Sequence, residues 1–324
     1  MSPFRLTRTL PEDATGAALR ADVLHGLTRT PKELPPKWFY DARGSELFEE
    51  ITRLPEYYPT RAEREILIDR AAEIAAATGA RTLVELGSGS SEKTRHLLRA
   101  LDDRSTLESY VPVDVSESAL TGAAEALLTE YPALRIHALI ADFTREITLP
   151  ETPGPRLVAF LGGTVGNLLP AERTRFLHAV RGLLEPGDAL LLGTDLVKEE
   201  DVLVRAYDDA AGVTAEFNRN VLNVLARELD ADVDPGDFDH VALWDREREW
   251  IEMRLRARTA VTVKIPELDL VVPFDEGEEL RTEVSAKFRR EGVYAELTDA
   301  GLTPAEWWTD RAGRFALSLA TVTG

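Results

Sequence analysis

The stretch VELGSGSSEKT (84–94) decides the fold. A short apolar run, TLVELG (82–87), ends in glycines and leads into SEKTRHLLRAL (91–101), whose apolar spacing predicts a helix opened by Ser91. A strand that turns through glycines into a helix lets the backbone approach a ligand at the helix N-terminus. Two phosphate-binding patterns fail here. Counted from Gly87, the dinucleotide fingerprint finds Gly89 at its second glycine but Glu92 at its third, a carboxylate where a pyrophosphate would sit. The P-loop pattern also breaks, because Lys93-Thr94 follows Glu92 rather than glycine. Glu92 therefore disfavours an NAD-dependent oxidoreductase.

Outward from this loop, strands and helices alternate. YVPVDVS (110–116), RIHALIADF (135–143), RLVAFLGGTVGN (156–167) and DALLLGTDL (188–196) read as four more apolar strands. Helices are expected at RAEREILIDRAAEIAAATG (61–79), in the alanine- and leucine-rich stretch after Ser118, and at AERTRFLHAVRGLL (171–184). Such alternation implies an α/β fold with a parallel sheet covered on both faces. The pattern stops at Val197. A helical piece around Leu203–Leu229 is followed by an acidic loop (230–240). WIEMRLRA (250–257) then alternates apolar and charged residues, as a half-exposed strand does. Further strands are expected at 259–265, 279–285 and 315–322, with a helix after Lys287 and a short strand around 305–310. The first 60 or so residues, broken by prolines 31, 35, 36, 55 and 59, read as loops packed by their own aromatics. The simplest organisation is an α/β core interrupted by an inserted, partly antiparallel subdomain.

Composition narrows the possibilities. With 38 Lys and Arg against 57 Asp and Glu in 324 residues, the formal charge is -19, which repels phosphate backbones and argues against nucleic acid as a partner. The absence of cysteine excludes a disulfide framework, a thiolate zinc site and a cysteine nucleophile. Neither the N-terminal MSPFRLTRTLPEDATG nor LVAFLGG (157–163) is apolar over the length a signal or a membrane span needs, so a soluble cytoplasmic protein is expected. The five histidines (25, 96, 137, 178, 240) have no metal-ligand spacing, and the acidic run 230–239 lacks the EF-hand pattern. No metal is expected.

S-adenosylmethionine suits the glycine loop better than a phosphate ligand does. It has a cationic sulfonium, an amino-acid end and a ribose, and no phosphate. Glu85 could order the loop near the cationic end, and Lys93 could meet the ligand's carboxylate. Asp114, at the end of the second strand, is placed to accept bonds from ribose hydroxyls, as acidic residues do in nucleoside sites. Asp142 and Phe143, at the end of the third, offer a carboxylate for the adenine amino group and an aromatic wall. An aspartate after a strand is often only a cap or turn residue. Carboxylates at successive strand ends, where open α/β sheets bind ligands, carry more weight.

These features resemble the class I methyltransferases. More closely, KWFYD, GSELFEEITRLPEYYPTRAE, LVELGSGSSEKT, FLGGTVGNL, LLGTDLVK, AYDDAAGVTAEFNRN and TEVSAKF resemble the histidine-specific Nα-methyltransferases of ergothioneine biosynthesis, from about residue 15 to the C-terminus. Ser91 stands where the wider class often has a third glycine. The resemblance implies three methyl transfers from S-adenosylmethionine to the α-amino group of L-histidine, giving hercynine. It implies a Rossmann-like core (61–197 and 286–324) and a mixed α+β substrate-binding domain (1–60 and 198–285). It assigns Gly87, Lys93, Asp114, Asp142 and Phe143 to the cofactor. Tyr57, Asn167, Tyr207, Glu283 and Ser285 go to histidine: Asn167 and Tyr207 at the amino-acid head group, Glu283 and Ser285 at the imidazole, Tyr57 closing the pocket. Tyr40 and Phe48 would line it. A monomer without covalent intermediate, catalytic base or metal is expected.

Spacing alone would read Glu283 and Ser285 as a solvated strand face, Asn167 as a loop or cap residue, and Tyr207 as a core-edge tyrosine. Two other readings compete: the same chemistry on another amino acid or small amine, and a silent cofactor-binding protein that keeps the fold.

Overall fold

The computed structural model describes residues 3–11, 13–89, 91–144 and 147–322. The chain enters on strand β1 (Phe4–Arg8), followed by helix α1 (Ala14–Leu27), a two-residue strand β2 (Lys32–Glu33), α2 (Ala42–Ile51) and the long α3 (Pro59–Thr78). The alternating section comes next: β3 (Thr82–Leu86), α4 (Arg95–Asp103), β4 (Ser109–Asp114), α5 (Glu117–Glu130) and β5 (Arg135–Ile140). It closes with β6 (Arg156–Phe160), α6 (Pro170–Leu183) and β7 (Ala189–Asp195). After α7 (Glu200–Tyr207) and α8 (Val213–Leu229) the chain becomes strand-rich, with β8 (Phe238–Asp245), β9 (Trp250–Ala257), β10 (Val261–Ile265), β11 (Leu270–Phe274) and β12 (Glu279–Ala286). It ends on α9 (Arg290–Asp299), β13 (Thr303–Thr309) and β14 (Phe315–Thr321).

The described residues form two compact units. The first, from 1–11, 61–196 and 288–324, holds an eight-stranded sheet in the order β1-β5-β4-β3-β6-β7-β14-β13. All its pairs are parallel up to β7; β14 runs antiparallel to β7, and β13 to β14. β3 and β7 are buried along their whole length, as strands covered on both faces must be. Connections leave β3 towards β4 on one side, while β6 lies on its other side. The carboxyl ends of β3 and β6 therefore flank the point where strand order reverses, which is where sheets of this kind bind ligands.

The second unit, from 12–60 and 197–287, contains a four-stranded sheet, β2-β12-β9-β8, and a separate β10-β11 hairpin. Its core joins Phe217, Val221, Leu222 and Leu225 of α8 to Ile251, Met253 and Leu255 of β9. Met253 is buried, as its place in the alternation predicts.

Several expectations are corrected. The N-terminal segment is largely regular: β1 pairs with β5 in the core sheet, from Phe4↔Ile136 to Arg8↔Ile140, rather than belonging with the insertion, and α1 and α2 occupy much of the supposed loop region. α4 begins at Arg95, not Ser91; Ser91 has φ +55° and lies in the turn before it. The acidic segment gives way at Phe238 to β8, and Phe238 is in the core. β9 is less exposed than its alternation predicts, because its charged face is covered at one end: Glu252, 2% exposed, is satisfied by Trp250 Nε1 at 2.9 Å and by Arg254, while Arg256 stays exposed. β11 has no counterpart among the expected strands.

Asp41 shows how the second unit ties its N-terminal segment down. Its side chain caps α2, accepting from Gly44 N–H at 2.7 Å, and also accepts from Asn220 Nδ2 at 2.8 Å and Arg227 Nη1 at 2.7 Å, both on α8. Partial burial opposes ionisation, but these bonds outweigh it and hold the carboxyl below its ordinary pKa of 3.8. Asp41→Ala should lower the unfolding free energy in urea by about 1–2 kcal/mol, the usual cost of a lost cap. Asp41→Asn, an equally good cap, should recover most of it. Equal losses for the two variants would assign the effect to the Arg227 pair instead.

Candidate active site

The site residues of the first unit stand at the carboxyl ends of its central strands. Gly87 follows β3 with φ +70°, and a Cβ there would lie 3.2 Å from the Phe143 ring. Gly87 and Ser88 donate their backbone N–H groups to Val113 O at 2.8 and 3.2 Å, which holds the loop against β4. The Ser88 hydroxyl is buried and has no hydrogen-bond partner among the described residues. Asp114 ends β4; one oxygen accepts from Gly89 N–H and the other from Ser116 N–H, both at 2.9 Å. A carboxylate has about four lone-pair positions, so each oxygen retains capacity for a ligand hydroxyl. Asp142 takes both bonds from Thr144 on one oxygen. Phe143 packs edge-on against Phe160, with ring centroids 5.1 Å apart.

Two buried carboxylates organise this end of the sheet. Glu85 accepts from the Thr94 and Tyr110 hydroxyls, and Tyr110 in turn contacts Ser91 Oγ at 2.8 Å, so both flanks of the loop are anchored to one group. Burial pushes the Glu85 carboxyl from 4.5 to about 7, against the lowering effect of those hydrogen bonds and of the Lys93 charge. Glu63 on α3, fully buried, was not anticipated. It accepts Gly162 N–H at 2.7 Å and forms an ion pair with Lys93. Lys93, expected to meet the ligand's carboxylate, is thus engaged with Glu63. A signal for Glu63 existed, since it lies on the apolar face of α3 with Leu67 and Ile74. Glu92 is exposed and lies 3.7 Å from Arg64. Asn167 ends a 3₁₀ turn, Thr164–Asn167, in the loop after β6.

In the second unit the structure brings together Tyr57, Tyr207, Glu283 and Ser285. Glu283 and Ser285 pair with Met253 and Ile251 across β12 and β9, so they share the face that carries the unit's core. Tyr207 closes α7, and its hydroxyl lies 2.7 Å from Ser285 Oγ. The Tyr57 ring meets the Tyr207 ring edge-on at 6.4 Å and the Phe48 ring at 6.1 Å. Tyr40 completes the aromatic series at 5.5 Å from Phe48. As a residue Tyr40 is 51% exposed, yet desolvation acts on its hydroxyl. That desolvation, with Glu283 and Tyr207 nearby, pushes its pKa well above the ordinary phenol value.

Two polar residues here escaped the sequence reading. Lys287, 3% exposed, donates to the Tyr207 hydroxyl at 2.9 Å and to Ser285 Oγ at 2.8 Å. Extending the alternation Glu283, Ser285 by one step would have found it. His240 lies 2.8 Å from Tyr207 O through Nε2 and 2.8 Å from Asn218 Nδ2 through Nδ1. A carbonyl only accepts, so Nε2 carries the hydrogen and Nδ1 accepts. Burial depresses the His240 pKa, consistent with that neutral tautomer.

A parallel sheet with its order reversed beside β3, an antiparallel final pair, and a glycine loop unsuited to phosphate but backed by strand-end carboxylates define a Rossmann-like class I methyltransferase core that uses S-adenosylmethionine. A family model described as "Histidine-specific methyltransferase, SAM-dependent" matches residues 19–322. The chain is 58% identical over 315 residues to the histidine N-alpha-methyltransferase of Mycolicibacterium smegmatis, covering 97% of this chain and 98% of that one. It is also 58% identical over 311 residues to the enzyme of that name from Mycobacterium tuberculosis, covering 96% and 97%. A 4-dimethylallyltryptophan N-methyltransferase of Epichloe festucae var. lolii is 28% identical over 310 residues, covering 89% and 90%. The chain belongs to the family of histidine-specific, S-adenosylmethionine-dependent methyltransferases.

Gly87→Ala should weaken S-adenosylmethionine binding about tenfold or more by calorimetry, because an L-residue at that φ costs about 1–2 kcal/mol before the Phe143 contact is counted. Unchanged affinity would remove Gly87 from the cofactor site. Glu85 makes a second expectation. Its folded pKa is raised, so its stabilising contribution is complete below about 4.5 and is lost as pH rises through about 7. Glu85→Gln cannot ionise and should gain stability relative to the parent as pH rises from about 4.5 to about 7. A constant difference in urea midpoint across that range would contradict the assignment.

Proposed function

We propose that the protein transfers methyl groups from S-adenosylmethionine to the α-amino nitrogen of L-histidine, three times in succession, to give hercynine. What supports this reading most directly is the polar face formed by Glu283, Ser285 and Tyr207 beside Tyr57, on a chain of that family. Gly87, Asp114, Asp142 and Phe143 hold the cofactor, with Lys93 kept in place by Glu63. When bound, the cofactor supplies a methyl group already activated by a sulfonium, whose charge also disfavours a protonated amine.

The protein's own contribution is alignment. Asn167 and Tyr207 orient the amino-acid head group, and Glu283 and Ser285 present an acceptor and a hydroxyl to the two imidazole nitrogens. Tyr57 closes over the substrate. Holding the amine in a near-attack position can supply about 7–11 kcal/mol of the barrier reduction. The free α-amino group has a pKa of about 8, so a neutral fraction is present at physiological pH and no side chain is needed as a dedicated base. After the third transfer the nitrogen carries a fixed positive charge and can react no further. The reading needs no second chain, since every assigned residue belongs to this one. Among the described residues, no helix is long and apolar enough to cross a membrane.

Incubation with S-adenosylmethionine and an equimolar mixture of amino acids, tryptophan included, should leave one product by mass spectrometry: histidine with three added methyl groups. Histidine left untouched while another amino acid is consumed would overturn the substrate assignment. Glu283→Ala should raise KM for histidine about tenfold or more, the loss of a charged hydrogen bond, and leave cofactor affinity within about twofold. Equal losses of both would refute its role at the imidazole.

A further inference from the structure

Lys287 is the feature of the second unit that the assignments above leave unused. It is a cationic side chain buried to 3% exposure, just beyond the end of β12, where its backbone N–H donates to Glu249 O at 2.7 Å. Burying an ammonium is costly, and an apolar side chain of similar volume would fill the space more cheaply. Two of its hydrogen bonds go to the hydroxyls of Tyr207 and Ser285, and its ammonium lies 4.7 Å from the Tyr207 ring centroid. With the 2.7 Å contact between those hydroxyls, the three groups close a triangle.

The triangle has a fixed polarity. An ammonium has three hydrogens to donate and no lone pair, so both hydroxyls must accept from Lys287. The contact between the hydroxyls consumes one of their two hydrogens. The other cannot point back at the ammonium and so leaves the triangle outward. Both oxygens are also polarised by the adjacent charge, which strengthens that outward bond.

We propose that Lys287 is a positioning residue for histidine: it locks Tyr207 and Ser285 into a hydrogen-bond donor aimed at a lone-pair-bearing group of the substrate. This rests on the assignment of Tyr207 and Ser285 to histidine made above. L-Histidine has two such groups, the carboxylate and the unprotonated imidazole nitrogen. Glu283 on the same strand face is an acceptor, so acceptor and donor stand side by side, matching a neutral imidazole with one N–H and one lone pair. The buried charge adds a penalty against any cationic group placed at the pair. Lys287 thus touches no reacting atom and acts through the two hydroxyls.

The test is a mutant cycle on the full-length protein, with cofactor affinity and melting temperature measured alongside. Lys287→Met should raise KM for histidine about tenfold or more while kcat stays within about threefold and S-adenosylmethionine affinity is unchanged. Tyr207→Phe with Ser285→Ala should also raise KM, and adding Lys287→Met to that pair should produce little further change, because the groups it acts through are gone. Should Lys287→Met not melt cooperatively, Lys287→Gln, which keeps a donor nitrogen on a shorter stem, carries the same comparison. No effect of the Tyr207/Ser285 double substitution on KM would overturn the site assignment itself. A normal effect of that pair, with Lys287 multiplying it independently, would overturn the positioning role alone. A Lys287 effect on cofactor affinity or on kcat, with KM unchanged, would also overturn it. Inhibition by histamine, which lacks the carboxylate, separates the two acceptors. A Lys287→Met penalty that persists for histamine supports donation to the imidazole, and one confined to histidine supports donation to the carboxylate.

Discussion

The ion pair between Glu63 and Lys93, with the Gly162 N–H that Glu63 also accepts, ties together two loops of the first unit. Lys93 belongs to the loop after β3, and the Gly162 N–H that Glu63 also accepts belongs to the loop after β6. One fully buried carboxylate on α3 therefore sets the spacing of the two segments that flank the switch point of the sheet. The arrangement is unforgiving. A Cβ at Gly193 would come within 2.5 Å of Glu63 Oε1, so the neighbouring strand must carry glycine for the carboxylate to fit. Glu85 repeats the device one strand-end away, holding Thr94 and Tyr110. In both cases a carboxyl group is buried beneath the loops at the strand ends, where rigidity in the backbone offsets the desolvation it costs.

The second unit uses neutral groups for the same purpose. Thr282 donates to Asn218 Oδ1 at 2.6 Å, Asn218 donates to His240, and His240 donates to the Tyr207 carbonyl. Thr282 lies at a register irregularity in β12, between Arg281 and Glu283, which turns its hydroxyl towards α8. The backbone of Tyr207 is thus tied to the strand that carries Glu283 and Ser285 by one chain of bonds, and its hydroxyl by another through Lys287. Two independent ties to one tyrosine leave it little freedom to turn.

The parallel strands were legible because burial on both faces writes itself as continuous apolar runs, and the glycine loop because its failure to match phosphate patterns is itself informative. Glu283 and Ser285 were singled out by resemblance and not by spacing. What stayed hidden had other causes. α2 has only two large buried apolar residues, Leu47 and Ile51; it packs by close backbone approach at Gly44, where a Cβ would lie 1.6 Å from Phe39 O. No apolar stripe advertises such a contact. β9 was misjudged because charged residues were taken as exposed, whereas Glu252 is buried by pairing with Arg254 and Arg281. His240 could not be assigned from spacing, since its partners come from α7 and α8 and one of them is a backbone carbonyl.

The charged residues of β9 bear on where Glu283 and Ser285 sit. Glu252, Arg254 and Arg256 of β9 share one face of the sheet with Glu279 and Arg281 of β12, and Glu33 of β2 joins the ion-pair network from the far side. Glu283 and Ser285 occupy the opposite face of the same strand. Register in a sheet is protected when a one-residue slip would bury charges against apolar neighbours, and here a slip would also carry Glu283 and Ser285 away from Tyr207. The charged face therefore holds in register the polar side chains assigned to the imidazole, although none of its own residues is assigned to the substrate. Side chains on the inner face can then be exchanged without unzipping the sheet, because the ion pairs behind them hold the scaffold.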